Sequence, residues 1–250
     1  MGMSEFDILL AVVIFAVAGA AKGLVGIGLP TIAISLMSQV FDPRLAITLT
    51  IGPLLITNLW QAWRSGFILR TLRRYFPYWA TLAVTIYLSA EFAQGISAQA
   101  VLFIMGVTVI VFTAAQLAFH PPPLGDRQER PAQVLAGGVS GLMGGITAIW
   151  GPPILMFLIA RRVPKDEFVR ATGVLLSMGA VPLMISYWMS GRFDGERAAL
   201  SLALVVPAVL GFALGEAFRA KINGDRFARL VLWMFLLLGL NIIRRAVLGV

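Results

Sequence analysis

The sequence predicts an all-α polytopic membrane protein made of two inverted repeats, each a broken re-entrant helical hairpin followed by three transmembrane helices. Of the 250 residues 59% are hydrophobic and only 13% are charged. The charges cluster between apolar runs of about 20 residues, the length of a helix that crosses a bilayer. Runs such as 101–119 are apolar on every face, whereas strands of a transmembrane β-barrel alternate. Two runs are interrupted by glycine and proline.

Eight apolar segments follow one another along the chain. Their approximate ranges are 6–40 (broken), 45–63, 75–93, 98–119, 132–160 (broken), 168–189, 198–218 and 227–248. The long polar interruption from His120 to Pro131 divides them into two sets of four. We therefore predict an N-terminal transmembrane repeat over residues 1–120, a linker over 121–131 and a C-terminal transmembrane repeat over 132–250.

The two halves contain the same sparse features in the same order. Two glycines and a proline of the first broken segment recur 122 residues later, in the pairs Gly19/Gly141, Gly23/Gly145 and Pro30/Pro152. Spacings of 124 to 125 residues continue the match in the pairs Thr48/Thr172, Trp63/Trp188, Gly66/Gly191 and Glu91/Glu216. This order indicates an internal duplication. Paired interruptions of apolar helices are typical of the binding site in transporters built from repeats.

The positions of lysine and arginine predict how the segments cross. If every segment crossed once, the positive residues other than Lys22 would divide 9 against 10 between the two sides. If both broken segments enter and return on one side, the division becomes 14 against 5. The positive-inside rule then places the linker in the cytoplasm and both termini outside. Three crossings per repeat invert the second repeat, so the two hairpin tips should meet near the bilayer midplane.

Length supports the hairpins, and the tips have the sequence of helix starts. Residues 6–40 as one helix would be about 50 Å long, against a hydrocarbon core of about 30 Å. Pro30 follows Gly28 and Pro152 follows Gly151, and proline is favoured in the first turn of a helix. Two helix N-termini, each with about half a positive charge and unpaired N–H groups, would converge in a low-dielectric cavity. This arrangement predicts an anion site.

Lys22 is the only charged residue in the interior of an apolar segment, and no acidic residue is close to it in sequence. An unpaired lysine is costly at that depth. Three roles for Lys22 stay open. Its ammonium pairs with a bound anion, it extends towards the membrane surface, or it only makes the electrostatic potential of the cavity more positive. The aligned residue of the second half is Gly144, so the charge is not duplicated.

Small residues at the two breaks are predicted to let backbone N–H groups approach the anion, and they are Gly23, Gly26, Gly28, Gly145, Ala148 and Gly151. Close packing of transmembrane helices is the alternative for the glycines. Thr147 and Trp150 offer a hydroxyl and an indole N–H to the anion, or fill space. Asn58 and Gln61 must face the bundle or the pathway, as contacts between helices or as ligands.

Glu91 and Glu216 are the acids that approach the membrane outside the loops. Arg219 and Lys221 follow Glu216 closely, which favours an interfacial salt bridge, whereas Glu91 has no basic neighbour in sequence. Coupling of transport to a proton or another ion therefore stays open, as does the oligomeric state.

Composition argues against several other functions. The chain has no cysteine and a single histidine, His120, so no metal site or other cofactor is expected. The net charge of +8 resides beside apolar segments rather than in a nucleic-acid-binding surface, so no nucleic acid partner is expected. No catalytic pair is evident at depth, so no enzyme is predicted. A passive anion channel would share the tips and the positive field.

The sequence resembles the sulfite/sulfonate exporter family (TauE/SafE type) over nearly its whole length. The resemblance is carried by the glycine-rich first break, Gly151-Pro152-Pro153, Arg170-Ala171-Thr172 and the run from Tyr187 through Gly191 to Phe193-Asp194. It implies a multi-pass carrier of the bacterial inner membrane for small sulfur-containing anions such as sulfite, sulfoacetate or related organosulfonates.

We therefore expect a transporter, acting as an exporter by alternating access around the two tips in the lipid bilayer. A passive channel, or a carrier for thiosulfate or sulfate uptake, is the alternative. The sequence does not determine the exact substrate or the direction. The candidate substrate-binding residues are Lys22, Gly23, Gly26, Gly28, Pro30, Asn58, Gln61, Gly145, Thr147, Ala148, Trp150, Gly151 and Pro152.

Overall fold

The computed structural model describes residues 3–26, 28–118, 121–218 and 224–249, and this part of the chain contains twelve α-helices and no strand. The helices are α1 Glu5–Val25, α2 Leu29–Met37, α3 Pro43–Ser65, α4 Ile68–Arg74, α5 Phe76–Gln94, α6 Ala98–Ala118, α7 Asp126–Thr147, α8 Gly151–Ala160, α9 Lys165–Met189, α10 Gly195–Ala203, α11 Val205–Phe218 and α12 Gly224–Leu248.

All eight predicted segments are helical, and both broken segments break where glycine and proline predict. The short helix α4 and the division between α10 and α11 were not predicted from the sequence. In the described ranges, six stretches are long and apolar enough to cross a membrane: Glu5–Leu24, Pro43–Ser65, Ala98–Ala118, Lys165–Met189, Gly195–Phe218 and Arg229–Leu248. Five of these six stretches coincide with predicted spans, and the sixth is α1, which was predicted as part of a hairpin. The predicted span 75–93 forms helix α5, but α5 does not meet this criterion of length and hydropathy.

Local sequence explains where the helices at the first break begin and end. Ser4 caps α1 because its hydroxyl accepts from the Asp7 N–H at 3.2 Å, and the Asp7 carboxylate accepts from the Ser4 N–H at 3.0 Å. Gly26 and Gly28 have φ of 92° and 101°, in the left-handed region that favours glycine. The chain therefore leaves the helical path after Val25 and resumes it at Leu29.

The four long helical elements of each half pack most extensively against the other half. Helix α1 pairs with α11 and α7 with α5, so the first helix of each half lies against the third helix of the other. The second elements, α3 and α9, pair with each other, and so do the last, α6 and α12. The core therefore lies between the halves rather than within either one.

Glycine allows backbones to touch in the α1–α11 and α5–α7 pairs. A Cβ atom at Gly23 would lie 2.2 Å from the Phe212 carbonyl oxygen, and one at Gly145 would lie 2.4 Å from the Ile86 carbonyl oxygen. Gly211 and Gly215 on α11 are equally confined by the backbone of α1. No side chain fits at these contacts. Small residues four positions apart are the usual basis of close helix packing in membranes.

Charged side chains gather at the two ends of the helix bundle. At one end, which we call the linker face (residues 64–75, 121–130 and 161–170), ion pairs join Arg161 to Asp126 at 2.9 Å and Arg74 to Glu167 at 2.7 Å. Burial and a hydrogen bond to Glu167 raise the pKa of the Tyr75 phenol, which keeps it protonated as the donor in that bond.

The opposite end, which we call the termini face (residues 3–4, 38–44, 95–97, 190–197 and 241–249), has a shallow depression of about 760 Å³. Met3, Asp42, Arg44 and Arg192 are among its lining residues. The Arg44 guanidinium donates to the Ala93 carbonyl oxygen at 3.1 Å and also to that of Ile96. The start of α1 and the segment after α2 therefore lie at one end of the bundle.

Gly137 and Gly138 give a matched test of the packing, because they are adjacent on α7. A Cβ at Gly137 would lie 2.5 Å from the Tyr78 carbonyl oxygen, whereas one at Gly138 would be 3.7 Å from the nearest atom, Thr81 Cγ2. We expect Gly137→Ala to destabilise the protein by about 1–3 kcal/mol through overpacking. Gly138→Ala should be neutral or stabilising by up to about 1 kcal/mol. Thermal unfolding in detergent measures both, and equal melting temperatures would contradict the packing.

Candidate functional site

Both breaks lead into a helix that starts with proline in its first turn. Helix α2 begins at Leu29 after Gly28 and has Pro30 as its second residue. Helix α8 begins at Gly151 and continues with Pro152 and Pro153. The predicted helix starts at the two breaks are therefore present.

The two helix starts line one cavity of about 70 Å³. Residues from α1, α6, α9 and α12 complete its wall, and the lining residues are Ala21, Gly28, Pro30, Thr31, Ile32, Phe112, Gln116, Gly151, Pro152, Leu155, Thr172, Leu176, Val231, Leu232 and Phe235. None of these side chains carries a charge. Its polar groups are the side chains of Thr31, Gln116 and Thr172 together with the backbone at the helix starts. We call this space the central cavity.

The central cavity lies closer to the linker face than to the termini face. Thr172 is seven residues after the start of α9 at Lys165, a rise of about 10 Å, and seventeen residues before its end at Met189, about 25 Å. Leu176, one turn further on, is about 16 Å from the same start. The cavity is therefore within the bundle but displaced towards the linker face.

Only some amides at the breaks are free to bind a ligand. The Gly26 N–H donates to the Lys22 carbonyl oxygen at 2.6 Å, and the Ala148 N–H donates to the Gly144 carbonyl oxygen at 2.7 Å. First-turn N–H groups have no partner within their own helix, and proline has none to offer. Within the first three residues of each helix, the remaining N–H groups are those of Leu29 and Thr31 on α2 and of Gly151 on α8. The two helix starts therefore differ in donor number.

The two cavity threonines also differ. The Thr172 hydroxyl donates to the Phe168 carbonyl oxygen at 2.7 Å, so it can only accept a hydrogen bond from any other group. Its counterpart Thr48 bonds in the same way to Arg44. The Thr31 side chain is 6% exposed, and its hydroxyl has no hydrogen-bond partner among the described residues. Thr31 therefore keeps a donor for a ligand, although the sequence analysis did not select it.

Lys22 is buried and does not line the central cavity, although its neighbour Ala21 does. Its Nζ donates to Thr57 Oγ1 at 3.0 Å and to Asn58 Oδ1 at 2.5 Å, and it lies 5.8 Å from the centre of the Phe212 ring. No carboxylate of the described residues lies within ion-pair distance of Lys22. Asn58 Nδ2 is buried without a partner, so the pair retains hydrogen-bond donors.

The second half replaces lysine by a tryptophan from a different position. A Cβ atom at Gly144 would lie 2.8 Å from Trp150 Cβ, so the indole occupies the space above the glycine that aligns with Lys22. The position aligned with Trp150 is Gly28, where an added Cβ would be 4.0 Å from its nearest described neighbour, Ile32 Cδ1. Among the described residues, Lys22 and Trp150 are thus large side chains near the two breaks, at different positions of the predicted repeat.

Trp150 and Thr147 lie outside the lining of the central cavity. The Trp150 indole packs against Gly179 and Ile86, and its Nε1 is buried without a partner in the described structure. The Thr147 hydroxyl donates to the Met143 carbonyl oxygen at 2.8 Å and accepts from the Ile149 N–H at 3.2 Å. The contacts of these two side chains are therefore packing and local hydrogen bonds, and contact of either with an anion stays a prediction.

Among the remaining predicted site residues, Gly23 and Gly145 occupy the helix contacts described above. Gln61 Nε2 donates to the Val169 carbonyl oxygen at 2.9 Å and ties α3 to α9. Gly28, Pro30, Gly151 and Pro152 line the central cavity. The structure thus brings the residues that follow each break together, and it assigns many of those before the break to packing.

The two membrane-proximal acids have different partners. Glu216 forms an ion pair with Arg64 at 2.8 Å, and the predicted partners Arg219 and Lys221 lie outside the described residues. Glu91 accepts a hydrogen bond from the Ser186 hydroxyl at 2.7 Å. A role of either in ion coupling stays a prediction.

Sequence reasoning missed the cavity residues that come from α6 and α12. Gln116 carried a signal, since it is a polar residue near the end of the apolar run 98–119. Val231, Leu232 and Phe235 had none, because they lie in the continuous apolar run 230–240. Their contribution depends on the pairing of α6 with α12.

Comparison with known proteins identifies the family of the chain. No curated protein and no solved structure matches the chain. The family model described as "Sulfite exporter TauE/SafE" matches residues 10–242, which is nearly the whole chain. The chain therefore belongs to the TauE/SafE sulfite exporter family, a family of multi-pass membrane transporters of sulfur-containing anions whose expected location is the bacterial inner membrane.

Proposed function

We propose that the protein exports a small sulfur-containing oxyanion, such as sulfite or sulfoacetate, by alternating access around the central cavity. The strongest support is that the N-termini of α2 and α8 line one cavity between the two halves. Helix N-termini attract anions because their N–H groups are unpaired and carry partial positive charge. The position of the cavity nearer the linker face suits loading from the cytoplasm.

Two re-entrant hairpins in inverted repeats form the proposed scaffold. The start of α7 and the end of α8 are joined by the ion pair between Arg161 and Asp126 and by a hydrogen bond from the Leu124 N–H to the Ala160 carbonyl oxygen at 2.9 Å. At the opposite end of the bundle, Met3 and Asp42 share one depression. These contacts support a path in which each hairpin returns to the side from which it entered. The excess of positive residues favours the linker face as the cytoplasmic one.

The absence of natural cysteines makes this topology directly testable. We expect an impermeant maleimide to label Glu5→Cys and Val40→Cys in intact cells, because both lie on the outer side. Gln128→Cys and Arg162→Cys should react only after permeabilisation. Labelling of Glu5→Cys and Val40→Cys from opposite sides would contradict a re-entrant first hairpin. Labelling of Gln128→Cys and Arg162→Cys from opposite sides would contradict a re-entrant second hairpin.

Hydrogen bonds from neutral groups hold the anion in this proposal. The N–H groups of Leu29, Thr31 and Gly151 and the Thr31 hydroxyl donate to its oxygens, while the apolar wall excludes water and strengthens each interaction. Glycine at 28 and 151 lets the anion approach the backbone. The prolines shape the helix starts and leave few competing donors.

Thr31 provides the sharpest test of the cavity. A hydrogen bond to a charged partner contributes about 1.5–3 kcal/mol, so Thr31→Val should weaken sulfite affinity roughly tenfold to a hundredfold. Thr31→Ser keeps the hydroxyl and should remain within about threefold of the wild type. Sulfite counterflow in proteoliposomes measures both. If Thr31→Val binds sulfite with wild-type affinity, Thr31 does not contact the anion. If the protein carries a sulfite flux but shows no counterflow, it acts as a channel rather than as a carrier.

Lys22 supplies fixed positive charge beside the first break in the proposed mechanism. Lys22 does not line the central cavity, so its charge acts on the anion through the cavity wall rather than through a hydrogen bond. The other half has no equivalent cation, because Trp150 covers Gly144. In this proposal the first half contributes the positive charge of Lys22, and the second half contributes the bulk of the Trp150 side chain.

Lys22→Met and Asn58→Leu separate the structural role of Lys22 from its role in transport. Asn58→Leu should destabilise the fold by about 1–3 kcal/mol, because it leaves the buried ammonium with fewer acceptors. The double variant Lys22→Met/Asn58→Leu should melt at a higher temperature than Asn58→Leu alone. Lys22→Met should also weaken sulfite binding in proteoliposomes. If Lys22→Met keeps wild-type affinity, the lysine does not act on the anion.

A further inference from the structure

A positively charged pocket, distinct from the central cavity, lies on the linker face. It has a volume of about 140 Å³ and is lined by Arg70, Thr71, Arg74, Glu167 and Arg170. Three guanidinium groups therefore surround one carboxylate. We call this space the arginine pocket.

The carboxylate in the arginine pocket is already neutralised. Glu167 pairs with Arg74 at 2.7 Å and accepts a hydrogen bond from the Tyr75 hydroxyl at 2.6 Å. Neither Arg70 nor Arg170 has a carboxylate within ion-pair distance among the described residues. Arg170 Nε is also buried without a hydrogen-bond partner. The pocket therefore keeps two uncompensated positive charges and an unsatisfied donor.

The surroundings of the pocket are apolar and exposed. Phe67 is 71% exposed and stacks beneath the Arg170 guanidinium, 5.4 Å from its ring centre, and Leu69 on α4 is 62% exposed. Exposed aromatic and aliphatic side chains next to arginines are typical of the boundary between head groups and acyl chains. An occupant of this pocket should therefore carry both an anionic group and an apolar part.

The arginine pocket opens on a different side of α9 from the central cavity. Glu167 and Arg170, three residues apart, line the pocket, whereas Thr172 and Leu176, four residues apart, line the cavity. Arg170 and Thr172 point about 200° apart around the helix axis. The pocket is therefore not an extension of the anion pathway.

We propose that the arginine pocket binds the phosphate of an anionic phospholipid, with Arg70 and Arg170 pairing with the phosphate oxygens and Phe67 and Leu69 contacting the acyl chains. Arginine forms paired hydrogen bonds with phosphate oxygens. Basic pockets on the cytoplasmic side of membrane proteins recognise lipid head groups in this way. The lipid would fix α4, the short connection between α3 and α5, at the membrane surface.

Native mass spectrometry of protein released from nanodiscs tests the proposal. In discs of phosphatidylcholine with phosphatidylglycerol, we expect the wild type to retain a phosphatidylglycerol molecule. Each arginine near an anionic surface contributes roughly a factor of five in affinity, so Arg70→Gln/Arg170→Gln should lower retention roughly 25-fold. Arg127→Gln is the control, because Arg127 is exposed on the same face and does not line the pocket. Arg70→Gln alone removes an exposed side chain and should give an intermediate loss in a folded protein.

The lipid and a free oxyanion are distinguished by a second arm. In discs of phosphatidylcholine alone, inorganic phosphate or sulfite should raise the melting temperature less than phosphatidylglycerol does. An equal shift that depends on Arg70 and Arg170 would assign the pocket to a soluble anion and overturn the lipid assignment. Unchanged lipid retention in both arginine variants would overturn the site itself.

Discussion

Contact between helix backbones at glycine is the constraint on which the rest of this structure depends. In a bilayer there is little hydrophobic gain when apolar helices associate, so their affinity comes from close packing. The glycines of α1, α7 and α11 let those helices meet their partners with no side chain between them. Because each contact joins the first helix of one half to the third of the other, both breaks are held inside the same bundle. The central cavity is the space that this arrangement leaves between the two helix starts.

If the central cavity binds the anion as proposed, neutral donors and helix dipoles would attract it without charged side chains. Partial charges at a helix start favour an anion without binding it too tightly for release. The two halves contribute unequally, since α2 offers two free first-turn amides and a hydroxyl, whereas the consecutive prolines of α8 leave one amide. The halves also differ beside the breaks, because the first half has the charged Lys22 side chain there and the second has the Trp150 indole. In the proposed transport mechanism the two sides of the cavity therefore differ, which would suit an asymmetric ligand.

The charges outside the bundle form a second level of organisation. Ion pairs on the linker face join α4 to α9 and the C-cap of α8 to α7, and Arg70 and Arg170 have no carboxylate partner among the described residues and lie beside exposed apolar side chains. An abundance of arginine at one end agrees with a cytoplasmic orientation. It also gives this end the means to interact with anionic lipid. Orientation and lipid contact would then have the same electrostatic origin.

The sequence by itself determined the helices, the two breaks and the family resemblance, because hydrophobic runs, glycine, proline and charge act locally along the chain. It also identified Gly28, Pro30, Gly151 and Pro152, which line the cavity. It did not determine which helices pair, and so it selected neither Thr31 nor the α12 residues, and it left the roles of Gly23, Gly145 and Gln61 open between packing and binding. Only the tertiary structure decided these points, since a side chain's role depends on neighbours that are distant in sequence, as the separate environments of Ala21 and Lys22 illustrate.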